Sequence, residues 1–461
     1  MNQRYNYLLK NTGILTLSNF SSKILVFLLV PLYTSVLSTE EYGFYDLSIT
    51  TIQLLWPILT MNILDSVMRF CMSLKYDQKD VISIGCKYTG ISIAVFGVIL
   101  IINHYFHIWP AIEEYSLLIF LYFLSYILNQ LGIQVSRGLE HIQDLAIAGV
   151  IGTVITIIFN LLLLIVYPTY LKGFYIANIL GQMVPALFLL YRIRINRYVG
   201  YYIKPQLQKE MLLYSIPLIM VSFSWWANSA LNRYIVTFMC GIAVNGLYSV
   251  SYKIPSIINT VQSIFMQAWQ ISAIREYDSK DSKRFYQDAF LYLNAVMSLT
   301  CTILILLTKS IAHVLYAKDF YQAWQFVPFL LVSSVFNTAS GFVGQILSAA
   351  KASSAMAKSA IYGISANIIM NFIFIFFLGA QGAAIATTIS SYIIFYKRKN
   401  TIGNVLQSDD YWRVNLSWVL LCFQSGLMIY SKYITLQIIL VIIISFTYLK
   451  PIIYLLKKLK K

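Results

Sequence analysis

Charge is scarce in these 461 residues: Asp, Glu, Lys and Arg make up 11% of them, and 59% of positions are hydrophobic. A water-soluble chain carries roughly a quarter charged residues, so the shortage excludes a soluble globular protein, as does the mean hydropathy of +0.69. Acids are scarcer than bases, 18 against 34, so a site that captures cations with several buried carboxylates has little to draw on. No G-x-x-x-x-G-K-[ST] segment occurs, which excludes ATP hydrolysis by a phosphate loop. The five cysteines (Cys71, Cys86, Cys240, Cys301, Cys422) show no C-x-x-C spacing and read as small apolar packing residues. The four histidines, His104, His107, His141 and His313, have no metal-ligand spacing, and no metal or cofactor is expected. Long polar stretches are missing as well, so the chain has no room for the outer catalytic loop that a membrane-embedded glycan polymerase or ligase would carry. It is expected not to be an enzyme.

What fills the chain is apolar sequence. About 14 stretches, each near the 20 residues that cross a hydrocarbon core of roughly 30 Å, lie near 12–37, 43–68, 84–106, 115–136, 146–166, 173–191, 211–237, 243–272, 286–308, 325–349, 357–378, 381–396, 413–430 and 433–455. The fold expected is an all-α polytopic membrane protein. The first stretch follows Arg4 and Lys10 as a signal peptide would, but it contains Lys23 and runs into Ser38-Thr39-Glu40-Glu41 without a small-residue cleavage site, so it reads as a retained helix.

With the N-terminus in the cytoplasm, most basic residues fall on cytoplasmic segments: 69–87, 192–209, 275–284, 397–413 and the tail from Lys457. Only Lys172, Lys309, Lys318 and Lys432 fall opposite. This satisfies the positive-inside rule for a bacterial inner-membrane protein with both termini cytoplasmic. The net charge of +16 then reports topology and contact with membrane lipids, not a nucleic-acid partner.

The second half weakly repeats the first. Gly43-Phe44-Tyr45 matches Gly246-Leu247-Tyr248, the run from Lys75 to Asp80 matches that from Glu276 to Asp281, and Ile158-Phe159-Asn160 matches Ile369-Met370-Asn371. Two copies of an even number of helices are parallel repeats about an axis along the membrane normal. The expected organisation is an N-terminal lobe of helices 1–6 over 1–198, a C-terminal lobe of helices 7–12 over 199–399, and two further helices over 400–461, with the lobes around a central cavity.

Ionisable and polar residues at membrane depth are costly and mark function. On the first helix Thr12, Thr16, Asn19 and Lys23 share a face. The seventh presents Ser222, Ser229 and Arg233 at matching positions. The eighth carries Ser249, Lys253, Ser256, Thr260 and Ser263, and its copy in the second carries Thr50, Gln53, Pro57 and Thr60. A cavity with Lys23, Arg233 and Lys253 and almost no acid suits an anion, because phosphate oxygens accept charge-assisted hydrogen bonds. Trp226, with Trp225, offers a ring to stack on a sugar, and Asn19 and Ser256 add hydrogen bonding. Asp65 is the one acid deep enough for ion coupling, with Arg69 one turn on as its alternative partner. Asn129, Asn160, Asn337 and Asn371 occupy repeat-related places that suggest hydrogen bonds between helices.

The runs Pro31-Leu32-Tyr33, Leu37 to Tyr45, and Gly246 to Lys253 resemble those of Wzx-type O-antigen and polysaccharide flippases of the multidrug/oligosaccharidyl-lipid/polysaccharide exporter superfamily. The resemblance in organisation spans the whole chain. It implies alternating-access transfer of undecaprenyl-pyrophosphate-linked oligosaccharide repeat units from the cytoplasmic to the outer leaflet, with a polysaccharide polymerase and a chain-length regulator as partners. Members often have Asp before the Arg of the seventh helix, where this chain has Asn232. The rival readings are a multidrug or cation antiporter of the same superfamily, which would favour buried carboxylates, and the polymerase or ligase.

Overall fold

The structure, a computed structural model, describes residues 27–73, 75–199, 204–275, 282–350, 352–430 and 433–459. Among them the regular structure is helical throughout, with no strand. Eight helices are long and apolar enough to cross a membrane, nine if one bent pair counts as a single span. The chain is a multi-pass helical membrane protein. Its contacts divide it into two compact units, Met1–Ala230 and Leu231–Lys461.

In the first unit, α1 (Val30–Val36) opens on Pro31 and stops at extended Leu37. The acidic run that follows is a capping box. Ser38 Oγ accepts from the Glu41 amide at 3.1 Å while the Glu41 carboxylate accepts from the Ser38 amide at 2.8 Å, starting α2 (Thr39–Leu59). The second apolar stretch does not form one straight helix. Pro57 weakens the last turns of α2, Met61 and Asn62 adopt left-handed φ of 51°, and α3 (Ile63–Cys71) leaves at 61°. Then follow α4 (Gln78–Phe106), α5 (Ser116–Gly138), α6 (Ile142–Leu161, ending in a π turn over Leu162–Val166) and α7 (Tyr170–Ile193). A Cβ on Gly152 would sit 2.8 Å from the Gly181 carbonyl oxygen, so a side chain there is incompatible with how closely α6 and α7 cross.

The residues that carry the family resemblance in this half are packing residues. Tyr33 and Tyr42 stack at 5.2 Å, and Tyr45 meets Phe174 at 4.6 Å and Tyr175 at 4.9 Å. The first turns of α8 (Pro205–Cys240) are tied to α3 and α4. Ser66 Oγ donates to the Met211 carbonyl at 2.9 Å, the Tyr76 hydroxyl to Glu210 at 2.5 Å, and Lys204 pairs with Asp80 at 2.7 Å. Tyr76, and after it the charge of Glu210, holds the Lys75 ammonium above its ordinary range.

The second unit takes the end of α8 and then α9 (Ile242–Ser251), α10 (Pro255–Arg275), α11 (Ser282–Leu315), α12 (Val327–Ala349), α13 (Ser353–Leu378), α14 (Gln381–Thr401), α15 (Tyr411–Tyr430) and α16 (Ile434–Leu459). The expected eighth helix is interrupted at 252–254, because Pro255 cannot donate back into the ladder. The two copies thus break at different places, α2 after its proline and the eighth before its own. Helix α12 is the hub, with 83% of its apolar window buried in protein against 17% for α13. Trp269 stacks on Phe342 of α12 at 3.9 Å. A Cβ on Gly382 would overlap the Phe374 carbonyl, so α14 turns tightly back along α13.

Candidate functional site

In the second unit, an apolar cluster of Ile235, Val236, Tyr248, Phe326, Leu330, Ile375, Ala383 and Ala384 fixes the end of α8 against α9, α12, α13 and α14. A polar network lies beside it. Asn232 on α8 donates to Thr387 Oγ1 of α14 at 2.7 Å and accepts from Asn371 Nδ2 of α13 at 2.9 Å. Asn371 also reaches Asn367 Oδ1 at 3.0 Å, and Asn367 reaches Ser390 Oγ at 3.2 Å. Tyr248, fully buried, shares a hydrogen bond with the Tyr252 hydroxyl at 2.9 Å and lies 3.5 Å from Asn232 Nδ2. Every member named is neutral. Buried networks of this kind hold a geometry when satisfied.

What this network holds is Arg233. Its guanidinium carbon stands 5.7 Å over the ring of Tyr252, within reach of a cation–π attraction, and the hydroxyl of that same ring is fixed by Tyr248. Lys253 follows directly, half-buried in the interruption between α9 and α10. Ser256 donates to the Lys253 carbonyl at 2.5 Å, which ties the start of α10 to the Lys253 backbone. The second unit therefore brings Arg233, Tyr252, Lys253 and Ser256 onto connected elements.

The hydroxyls of the polar stripes are already donating. Thr260 gives its proton to the Ser256 carbonyl and Ser263 to that of Thr260, both at 2.8 Å. A hydroxyl so engaged still accepts through its oxygen. Such a stripe can receive hydrogen bonds from sugar hydroxyls but offers none to a phosphate, whose recognition falls to the cations. In the first unit Thr50 and Thr60 are buried and bonded to Asp46 and Trp56 carbonyls. They offer no surface, because an isolated hydroxyl in a membrane helix is most cheaply satisfied by its own preceding turn.

Lys23 and Asn19 lie outside the described residues. Trp226 is half-buried, and its indole Nε1 donates to the Thr50 carbonyl at 2.8 Å, so the ring is held at a set angle within the first unit. Asp65 is not paired with Arg69, whose side chain is exposed. Its two oxygens accept instead from Gln134 Nε2 of α5 at 2.7 Å and from Asn62 Nδ2, at the bend, at 2.9 Å. The left-handed turn at Met61 and Asn62 brings the amide over the carboxylate, which the helical i to i+4 spacing could not anticipate.

The four repeat-related asparagines do not share a role. Asn371 alone of them bonds to another helix, through Asn232. Asn160 donates to the Thr156 carbonyl of its own helix at 2.7 Å. Asn129 lines a cavity of about 690 Å³ in the first unit, with Arg137 on the same face of α5 and walls from α3, α6 and α7. Sequence reasoning missed both this cavity and Tyr252, although Arg137 closes an Asn129, Ile133, Arg137 stripe at four-residue steps that the periodicity displays.

The polysaccharide biosynthesis protein family matches residues 8–271. No curated protein sequence matches the chain. Among solved structures, the lipid II flippase MurJ in an inward closed conformation aligns with a TM-score of 0.73 at 15% identity, covering 97% of this chain and 100% of that one. An inward-facing multidrug resistance transporter of the MATE family, in the MOP superfamily, aligns at 0.62 and 14%, covering 89% and 96%. A MOP superfamily transporter from Pyrococcus furiosus, described as having a binding pocket of reverse polarity, aligns at 0.53 and 14%, covering 86% and 94%. At these identities the likeness is one of fold.

Proposed function

We propose, since this chain belongs to the polysaccharide biosynthesis protein family, that it is a flippase carrying an undecaprenyl-pyrophosphate-linked oligosaccharide from the cytoplasmic to the outer leaflet of the bacterial inner membrane. The observation that carries the reading is Arg233, set over Tyr252 beside a network of neutral groups. A guanidinium set over an aromatic ring that a buried hydroxyl network fixes favours an anionic head group over a cationic drug. The fold shared with the lipid II flippase supports the same direction.

In this reading Arg233, Lys253 and Lys23 take the pyrophosphate, Arg233 bidentately and the lysines as point charges. Asn19, Ser256 and Trp226 meet the sugars, and the polyprenyl tail stays in lipid. Asp65, held by two neutral amides, is the carboxylate available for ion coupling. The two lobes alternate access about a central cavity, both termini lie in the cytoplasm, and a polymerase and a chain-length regulator receive the product.

The test is made in a strain that depends on this gene for surface polysaccharide. Glutamine at Lys23, Arg233 and Lys253 together should abolish the polymer and leave the lipid-linked repeat unit accumulating on the cytoplasmic face. Undiminished polymer in the triple variant, with the protein present in the membrane, contradicts the proposal.

A further inference from the structure

The cavity of the first unit has no part in that reading. Residues of α6 and α7 line it, with Met68 of α3 and Asn129, Ile133 and Arg137 of α5. Its hydroxyl protons are given to their own helix: Thr153 donates to the Gly149 carbonyl at 2.9 Å and Thr156 to that of Gly152 at 2.8 Å. Apart from these two, Asn129 and Arg137, the lining is apolar or glycine, so most of the interior is suited to hydrocarbon. From Ile142 to Thr156 the cavity follows α6 for about 21 Å, and its volume holds roughly twenty water-sized groups. That is room for one acyl chain.

The mouth is basic. Arg137, exposed at the end of α5, has no acidic partner among the described residues. Glu140, three residues on, is exposed and forms no ion pair with it among the described residues, and Asp144 on α6 is taken by Arg192 at 3.0 Å and by His141 at 3.4 Å. One unpaired guanidinium over a chain-sized apolar slot matches a monoanionic phosphodiester with an acyl tail; a diphosphate would call for more cations than the slot itself presents.

We propose that this cavity binds an anionic glycerophospholipid, with its phosphate on Arg137 and one acyl chain lying along α6. The site belongs to the first unit alone and is independent of the cargo assigned above. Occupancy would brace α3 and α5 against α6 and α7, so the protein should require an anionic lipid for full stability.

The experiment uses the full-length protein in nanodiscs made with either phosphatidylglycerol or phosphatidylcholine, followed by mild delipidation and native mass spectrometry. Wild type should retain phosphatidylglycerol in preference to phosphatidylcholine. R137Q, an exposed substitution that spares the core, should lose about fivefold in that preference, the effect of one basic residue at a membrane surface, while R137K keeps most of it. I133W, which fills the slot without changing charge, should reduce bound lipid of both kinds. Equal retention of the two lipids by wild type, an R137Q protein as selective as wild type, or a folded I133W protein that binds as much lipid as before overturns the proposal. None of these outcomes bears on flipping of the lipid-linked sugar.

Discussion

At the scale of single residues, the cations of the sequence are placed by groups that the sequence did not advertise. Arg233 and Lys253 stand out because ionisable residues in apolar stretches always do. Tyr252 does not, since the chain has 35 tyrosines and nothing in its neighbourhood marks this one until α9 and α8 pack. Replacing Tyr252 by Phe keeps the ring face and loses only the bond to Tyr248, whereas Leu loses the cation–π contact, about 0.5–2 kcal/mol when partly desolvated. Transport by Y252L is thus expected to fall several-fold below that of Y252F in a vesicle flipping assay, and equal rates would count against Tyr252 as the support of Arg233. Asn232 makes the converse point. An aspartate there would set a carboxylate beside Arg233, compete with the anionic head group, and lower substrate affinity more than turnover; a titration of rate against lipid-linked substrate for N232D distinguishes the two. Asn129 and Asn160 were misleading for a physical reason: an amide in a membrane helix can satisfy itself on its own preceding turn or face a cavity, and repeat position does not choose between these.

Helices were legible as elements because each needs a long apolar run, and the runs near 84–106, 115–136, 173–191, 325–349 and 357–378 correspond to α4, α5, α7, α12 and α13. Their breaks were not. Pro57 and Pro255 are both visible in sequence, but whether a proline ends a helix, kinks it or precedes a left-handed turn depends on what packs around the freed carbonyls. The Ser38 to Glu41 run, legible only as the absence of a cleavage site, is a capping box once α2 is seen. Replacing Ser38 by Ala is expected to cost about 1 kcal/mol, read as a lower melting temperature of the purified protein. Two glycines give a matched pair of tests. A side chain at Gly152 meets the Gly181 carbonyl, whereas a Cβ at Gly90 in α4 meets nothing within 4 Å. G152V should fail to accumulate or melt far lower, while G90A should leave melting unchanged or raise it by the equivalent of up to about 1 kcal/mol. Thermal unfolding in detergent checks both, and a stable G152V protein would mean that α6 and α7 do not cross as closely as described.

For the whole molecule, composition alone identified a multi-pass helical protein; its contacts divide it at Ala230 and Leu231, within α8, into two compact units. Sequence could not reveal what each unit contains: a neutral network supporting one arginine in the second, and an apolar slot under another arginine in the first. Both depend on side chains from four helices far apart in the chain. The central claim is that the protein moves a lipid by its anionic head group. Its most direct measurement is the rate at which purified protein in liposomes flips two fluorescent polyprenyl oligosaccharides that differ only in a diphosphate or a neutral linkage, for wild type and for the R233Q/K253Q double variant. Wild type is expected to flip the diphosphate much faster than the neutral lipid, and the double variant to lose this difference. Equal rates for the two lipids in wild type, or an undiminished difference in the double variant, would contradict it.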